Sequence, residues 1–125
     1  METLCIFKPL TMSNKFDFIF LEEALDFLKS KIEEKASSKI LYNIRKAQDD
    51  HDPRLFKKLN STIWEFRTNY LNNQYRLFAF WDKTPAGYTL VVCTHGIIKK
   101  TDKVSKNDLE RAENIRRKYF DIQKK

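Results

Sequence analysis

The spacing of apolar and polar positions divides the chain into segments of two different periods. Leu4 to Lys8 is a short apolar run closed by Pro9, which reads as a strand with a proline at its end. Thr11 to Lys15 is polar and turn-like. Phe16 to Phe20 alternates weakly, as a strand or as an irregular lead-in. From Leu21 the period becomes helical: Leu21, Ala24, Leu25, Leu28 and Ile32 fall on one stripe, and Ala36, Ile40, Leu41, Ile44 and Ala47 on a second. Two antiparallel helices joined near Glu33 to Ser38 satisfy both stripes; one long helix is the alternative.

After a polar break from Gln48 to Pro53, Phe56 to Asn60 leads into strict alternation. Trp64, Phe66, Thr68 and Tyr70 point one way and Glu65, Arg67 and Asn69 the other. Leu71-Asn72-Asn73-Gln74 is a tight turn, because Asn tolerates positive φ. Tyr75 to Trp81 returns, Thr84 to Gly87 turns again, and Tyr88 to His95 is a third strand whose Leu-Val-Val-Cys centre suits the middle of a sheet. Ser105 with Asp108 three residues on resembles a capping box, opening a helix with Leu109, Ala112, Ile115 and Tyr119 on one stripe. The expected class is α+β over a single domain, 1–125: an N-terminal strand and two helices, an antiparallel three-stranded meander, and a C-terminal helix.

A turn centred on Asn72 and Asn73 pairs Leu71 with Gln74, Phe66 with Ala79 and Trp64 with Trp81. That register sets a core face of Trp64, Phe66 and Leu77 against a face of Glu65, Arg67, Asn69, Arg76, Phe78 and Phe80. Arg76 then lies across from Asn69, with Arg67 as its diagonal neighbour, within reach of one bound group. Arginines held on strands suit a phosphodiester, because the guanidinium matches phosphate oxygens in a bidentate way. Phe78 and Phe80 are candidates to stack bases, or to bury against another segment. Arg67 equally suits an ion pair with Glu65.

Charge sharpens this picture. Lys and Arg total 24 against 17 Asp and Glu, a formal charge of +7, which favours a polyanionic partner or simply a solvated surface. Lys99, Lys100, Lys103 and Lys106 follow the third strand and bias the positive charge toward the C-terminal part. His95, at a strand end beside Gly96, is a candidate proton shuttle or a hydrogen-bonded structural residue. Composition excludes other classes. Aromatics at 14 % argue against disorder. No apolar run approaches the roughly 20 residues of a membrane helix. Met1-Glu2-Thr3 does not open a signal peptide, so the cytoplasm is the expected compartment. Cys5 and Cys93 sit in apolar runs as buried thiols. With only His51 and His95, and no cysteine pair of zinc spacing, no metal or other cofactor is expected. A phosphate-binding glycine loop and a serine elbow are both missing.

Lys58-Leu59, Trp64-Glu65-Phe66-Arg67, Tyr75-Arg76-Leu77, Thr94-His95-Gly96 and Lys99-Lys100-Thr101, followed by Ala112 and Tyr119, together resemble the phage-derived branch of the RelE/HigB-like toxins of type II toxin–antitoxin systems. The chain differs from that pattern in having Ile97 and Ile98 where an aromatic commonly follows the glycine, and Ser105 where proline commonly opens the last helix. The resemblance implies a ribosome-dependent endoribonuclease that cuts mRNA and arrests translation. It also implies a helix-turn-helix antitoxin as partner, and operator DNA reached only through that complex. The family's two arginines correspond to Arg67 and Arg76 and its paired lysines to Lys99 and Lys100. On that reading Arg76 and Arg67 take the scissile phosphate and Lys99 or Lys100 the RNA backbone; the residues themselves add His95 as a candidate for proton transfer, Lys103 for the backbone and Phe78 for a base. The alternatives are a non-catalytic nucleic-acid-binding module, a topoisomerase-directed toxin of the same broad fold, and an inactive relative retained for partner binding.

Overall fold

A computed structural model describes residues 5–7, 16–50, 52–100 and 104–123, with the side chains of 5–7 outside that description. The predicted turn over Thr11 to Lys15, the loop residue His51, and Lys103 lie outside the described residues. The elements run β1 (Cys5–Phe7), β2 (Asp17–Phe20), α1 (Glu22–Asp26, continuing as a π-turn over Phe27–Lys31), α2 (Glu34–Asp49), β3 (Phe56–Lys58), β4 (Trp64–Tyr70), β5 (Asn73–Asp82), β6 (Leu90–Lys99) and α3 (Lys106–Gln123). The class is α+β, with one correction: the expected three-strand meander is the centre of a six-stranded sheet of order β1-β2-β6-β5-β4-β3. Phe16 to Phe20 resolves as a strand, because β2 pairs parallel with β6 through Asp17–Leu90 to Phe20–Cys93. Phe56 to Asn60 resolves as the edge strand β3, three residues long and paired with β4 alone.

The two helical stripes belong to separate helices. Ile32, at φ −135° and ψ 163°, breaks the chain between them. Ala24, Phe27 and Leu28 from the first, and Ala36, Ile40, Ile44 and Ala47 from the second, bury against Phe18, Phe20, Phe66, Leu77, Val91 and Cys93. Removing this apolar surface from water is the main stabilising term on this side of the sheet.

On the opposite side, the second of the two readings of Phe78 and Phe80 holds: they bury against another segment. Leu109, Ala112, Tyr119 and Phe120 of α3 lie over Ile19, Phe78, Phe80, Leu90 and Val92, forming a second core. Only the serine half of the capping box expected for this helix forms: Asp108 N–H donates to Ser105 Oγ at 3.1 Å, while the Asp108 carboxylate accepts from the Ser105 hydroxyl at 2.7 Å rather than from the Ser105 backbone N–H. At its far end the Tyr119 hydroxyl donates to the buried Asp82 at 2.7 Å. Burial alone would raise the Asp82 carboxyl pKa, but hydrogen bonds from Thr84, Tyr119 and Gln123 outweigh it and hold the group below its ordinary value.

The hairpin register also differs from expectation. The turn residues are Leu71 (φ 48°) and Asn72 (φ 68°), and the strands pair Tyr70 with Asn73, Arg67 with Arg76, Phe66 with Leu77 and Trp64 with Ala79. Both loops contain two residues, so the slip is by two positions and every side chain keeps its predicted face. The observed register places Glu65 diagonal to Arg76 and on the same face as Arg67, so that one carboxylate bridges two facing cations. The expected register would have set Glu65 opposite Phe80, beyond reach of Arg76. The cost is a leucine in the left-handed region, about 1–2 kcal/mol.

A bulge in β6 adjusts the third strand. Leu77 pairs with Gly96 and Ala79 with Cys93, so Phe78 alone faces both Thr94 and His95. The extra residue inverts the alternation beyond it, which brings Lys99 to the arginine side of the sheet, opposite Gln74.

Candidate functional site

Two cavities flank the long strands. The larger, about 830 Å3, runs along β6 beyond the end of β2 and is lined by α1, its π-turn, His95 to Ile98, and Asp108 and Arg111 of α3. The smaller, about 450 Å3, opens at the turn end of the sheet between Lys46 of α2, Asp52 and Arg54 of the following loop, and Arg67, Asn69 and Arg76 of the hairpin.

The smaller cleft gathers four cations. Arg54 is already committed to Asp52, its Nε and terminal nitrogen donating to the carboxylate at 3.1 and 3.0 Å. Those hydrogen bonds hold Asp52 below, and Arg54 above, the usual pKa of each. Arg67 and Arg76 are only loosely paired: their Nε atoms stand 3.6 and 3.7 Å from Glu65 oxygens, too far for good hydrogen bonds. Both Nε atoms and Glu65 Oε1 are buried without a hydrogen-bond partner among the described residues. The Arg76 terminal nitrogens donate to Tyr75 O at 2.9 Å and Gln74 Oε1 at 3.0 Å. Burial lowers the Arg76 pKa, Glu65 opposes that and Arg67 adds to it, so the cleft wall holds its cation against a cost that an incoming anion would relieve.

The two arginines differ in access. The Arg67 side chain is 32 % exposed and the Arg76 side chain 3 %. Arg67 is therefore the arm that meets solvent, and Arg76 acts from within the wall. Lys99 stands opposite Gln74, next to the Arg76 row, and Lys100 is exposed just beyond the end of β6.

His95 and Phe78 have other settings. His95 lines the larger groove. Its Nδ1 is 3.1 Å from Thr94 Oγ1, its Nε2 3.4 Å from Asp108 Oδ1, and its ring stacks on Phe78 at 4.8 Å. Burial lowers the His95 pKa more than Asp108 raises it. Phe78 is wholly buried. Its ring has no open face for a base, so the expected stacking gives way to core packing, as it does for Phe80.

Gly96, part of the motif beside His95, has a packing reason to be glycine: a Cβ there would stand within 2.7 Å of three ring carbons of Phe27, well inside van der Waals contact. Cys93 is a buried free thiol whose pKa burial pushes up. Among the described residues, no three His, Cys, Asp or Glu side chains converge as metal ligands, and no helix is long and apolar enough to cross a membrane.

Sequence reasoning missed Lys46 and Arg54, which come from segments distant from the hairpin. The signal available was Asn43, a polar residue on the apolar stripe of α2. It is buried and donates to Thr68 Oγ1 at 3.1 Å, fastening α2 to β4 beside the arginines.

Residues 26–117 match the family described as phage-derived protein Gp49-like (DUF891), and the chain belongs to that family. No curated protein matches the chain.

Proposed function

We propose that this member of the Gp49-like family is a RelE/HigB-like toxin, an endoribonuclease that cuts ribosome-bound mRNA and is neutralised by a helix-turn-helix antitoxin. The observation that carries the reading is the cleft in which Arg67 and Arg76 meet beside Lys46 and Arg54 with guanidinium nitrogens left unpaired. RNA supplies its own nucleophile. The 2′-hydroxyl oxygen attacks the adjacent phosphorus and gives its proton to water, the P–O5′ bond breaks and the leaving 5′-oxygen takes a proton from water, and the products are a 2′,3′-cyclic phosphate and a 5′-hydroxyl. The protein's part is to align the attacking oxygen and to stabilise charge growing on the phosphoryl oxygens. Arg67 is the direct phosphate contact, Arg76 fixes the field behind it, and Lys99 and Lys100 hold the flanking backbone. His95 is not assigned the proton transfer, because both of its ring nitrogens already face partners and it opens into the other groove.

The test maps transcript ends after brief induction. Wild type yields new ends, and Arg67→Ala lowers their rate of appearance by about 10²–10³-fold, the scale of losing one transition-state donor. An unchanged rate in that variant rejects the role of Arg67. A 2′-deoxy nucleotide at the cut site abolishes cleavage; persistence of the cut rejects internal attack.

A second reading, a nucleic-acid-binding module without chemistry, draws on the burial of Arg76 and the occupied ring of His95. It requires RNA binding with no product even when ribosomes are supplied.

A further inference from the structure

A third pocket, about 380 Å3, lies at the end of the sheet away from the hairpin turn, lined by Lys58, Trp64, Trp81, Lys83 and Arg116 together with Ser61 and Thr62. Trp64 and Trp81 meet edge-on, their centroids 5.7 Å apart at 79°. Phe56 backs both indoles, at 4.9 and 5.8 Å, and Phe16 backs Trp81 at 5.4 Å. The pair is thus held rigid from behind while both rings stay half-buried. Two adjacent indoles that keep contact with water, rimmed by cations, form a more specific surface than scattered exposed apolar residues.

Among the described residues, no carboxylate lines this pocket. Glu113 of α3, which bonds the lining residues Arg116 and Thr62, is shared by Arg116 at 3.0 Å, Arg117 at 3.4 Å and the Thr62 hydroxyl at 2.7 Å. Lys58 and Lys83 enter no ion pair among the described residues, and Lys83 sits 6.0 Å from the Trp81 ring centroid. The edge strand β3 links the pocket to the arginine cleft along the chain. Arg54 and Leu55, just before β3, line the cleft; Lys58 and Ser61, at its end and just after, line the tryptophan pocket. Between them β3 is the sheet's edge, spans about 10 Å at the usual strand rise, and exposes Lys57 and Lys58.

We propose that the Trp64–Trp81 pocket is a subsite for one nucleotide of a single-stranded RNA whose backbone runs along β3 from the arginine cleft. A base lies against an indole while Lys58 and Lys83 contact the flanking phosphates. A positive track joined to aromatic platforms is how proteins hold single strands without reading their sequence. The proposal takes from the preceding subsection that the polymer is RNA, and nothing of the cleavage chemistry.

Trp64 and Trp81 are the only two tryptophans of the chain, so selectively excited tryptophan fluorescence reports on this pocket. The probe is a short 2′-O-methyl oligoadenylate, which has no free 2′-hydroxyl and survives binding. Its titration gives saturable quenching. The double variant Lys58→Gln, Lys83→Gln weakens the affinity about tenfold at low salt, and lowers the slope of log affinity against log salt by about 1.4, two phosphates at about 0.7 each on a single strand. No saturable quenching, or quenching with unchanged affinity in the double variant, overturns the proposal and leaves the lysines as guards of an edge strand. Equal quenching and full displacement by polyglutamate also overturns it, in favour of an acidic protein segment. Quenching without transcript cleavage sinks the nuclease reading and leaves the subsite standing; cleavage without quenching does the reverse.

Discussion

The groove along β6 and the cleft at the hairpin turn differ in how their charges are satisfied. In the groove, acids and bases answer one another: Arg111 with Glu23, Lys31 with Asp26 at 4.0 Å, and His95 with Asp108 at 3.4 Å. In the cleft, Arg54 has Asp52, but Arg67 and Arg76 share one carboxylate at distances of 3.6 and 3.7 Å and keep buried nitrogens unpaired. The larger cavity is therefore the electrostatically settled one. A binding site for an anion is better marked by cations left in want of a partner than by volume.

The sharpest way to break this comparison is to remove the buried cation. Arg76→Ala leaves Glu65 in the wall with Arg67 alone, and breaking a buried ion pair by deleting one partner costs about 3–5 kcal/mol. Urea unfolding of that variant should show a loss on this scale. A loss under about 1 kcal/mol would mean that the cleft wall is wet, and that the argument from unpaired nitrogens fails. Arg67→Ala is expected to affect transcript cleavage far more than stability, because its side chain already reaches water. The two arginines, adjacent in register, should thus separate into one that holds the wall and one that meets the substrate.

The groove makes the opposite prediction, since its importance lies in packing. Gly96→Ala drives a methyl into the Phe27 ring and should destabilise by about 1–3 kcal/mol, read as a lower urea midpoint at unchanged slope. Retained stability would show that the π-turn over Phe27–Lys31 yields easily, and that the groove is not the rigid partner in this comparison.

A smaller effect bears on the register that builds the cleft. Leu71 is 68 % exposed and sits at φ 48°. Leu71→Gly removes the left-handed penalty and should stabilise by about 0.5–1 kcal/mol. If the turn were instead centred on Asn72 and Asn73, position 71 would lie in a strand, and the same change would weaken the hairpin by about as much.

These effects also mark what the sequence makes legible. Alternation from Thr62 to Trp81 is enough to put Arg67 and Arg76 on one face, because a two-residue slip preserves facing. It does not place the turn, since local rules prefer Asn-Asn to Leu-Asn, and which residues face each other across the hairpin is a tertiary outcome. The stripe of α3 is readable at Leu109 and Ala112, but the surface that it covers is a tertiary choice. That choice turned Phe78 and Phe80 from candidate platforms into core. Lys46 and Arg54 lie in a helix and a loop that show nothing of the hairpin until the chain folds back.

The finest test sets the two cavities apart by pH. Arginine side chains do not titrate near neutrality, so the pairing in the cleft should be insensitive between about pH 5 and 8. His95 in the groove has a folded-state pKa below its ordinary 6.5, chiefly from burial. The native state then resists the proton that the unfolded chain accepts. Unfolding free energy should fall as pH drops from about 6.5 through the lowered value, and level off below it. Asp108 and Glu23 favour the charged ring while Arg111 opposes it, so the sign depends on burial outweighing the acids. In His95→Gln this contribution vanishes, and the urea midpoint should change less with pH over that window than in wild type. A midpoint that rises on acidification would mean that an imidazolium–Asp108 pair dominates. The groove would then hold a charge as poorly settled as those of the cleft, and the contrast between the two cavities would collapse.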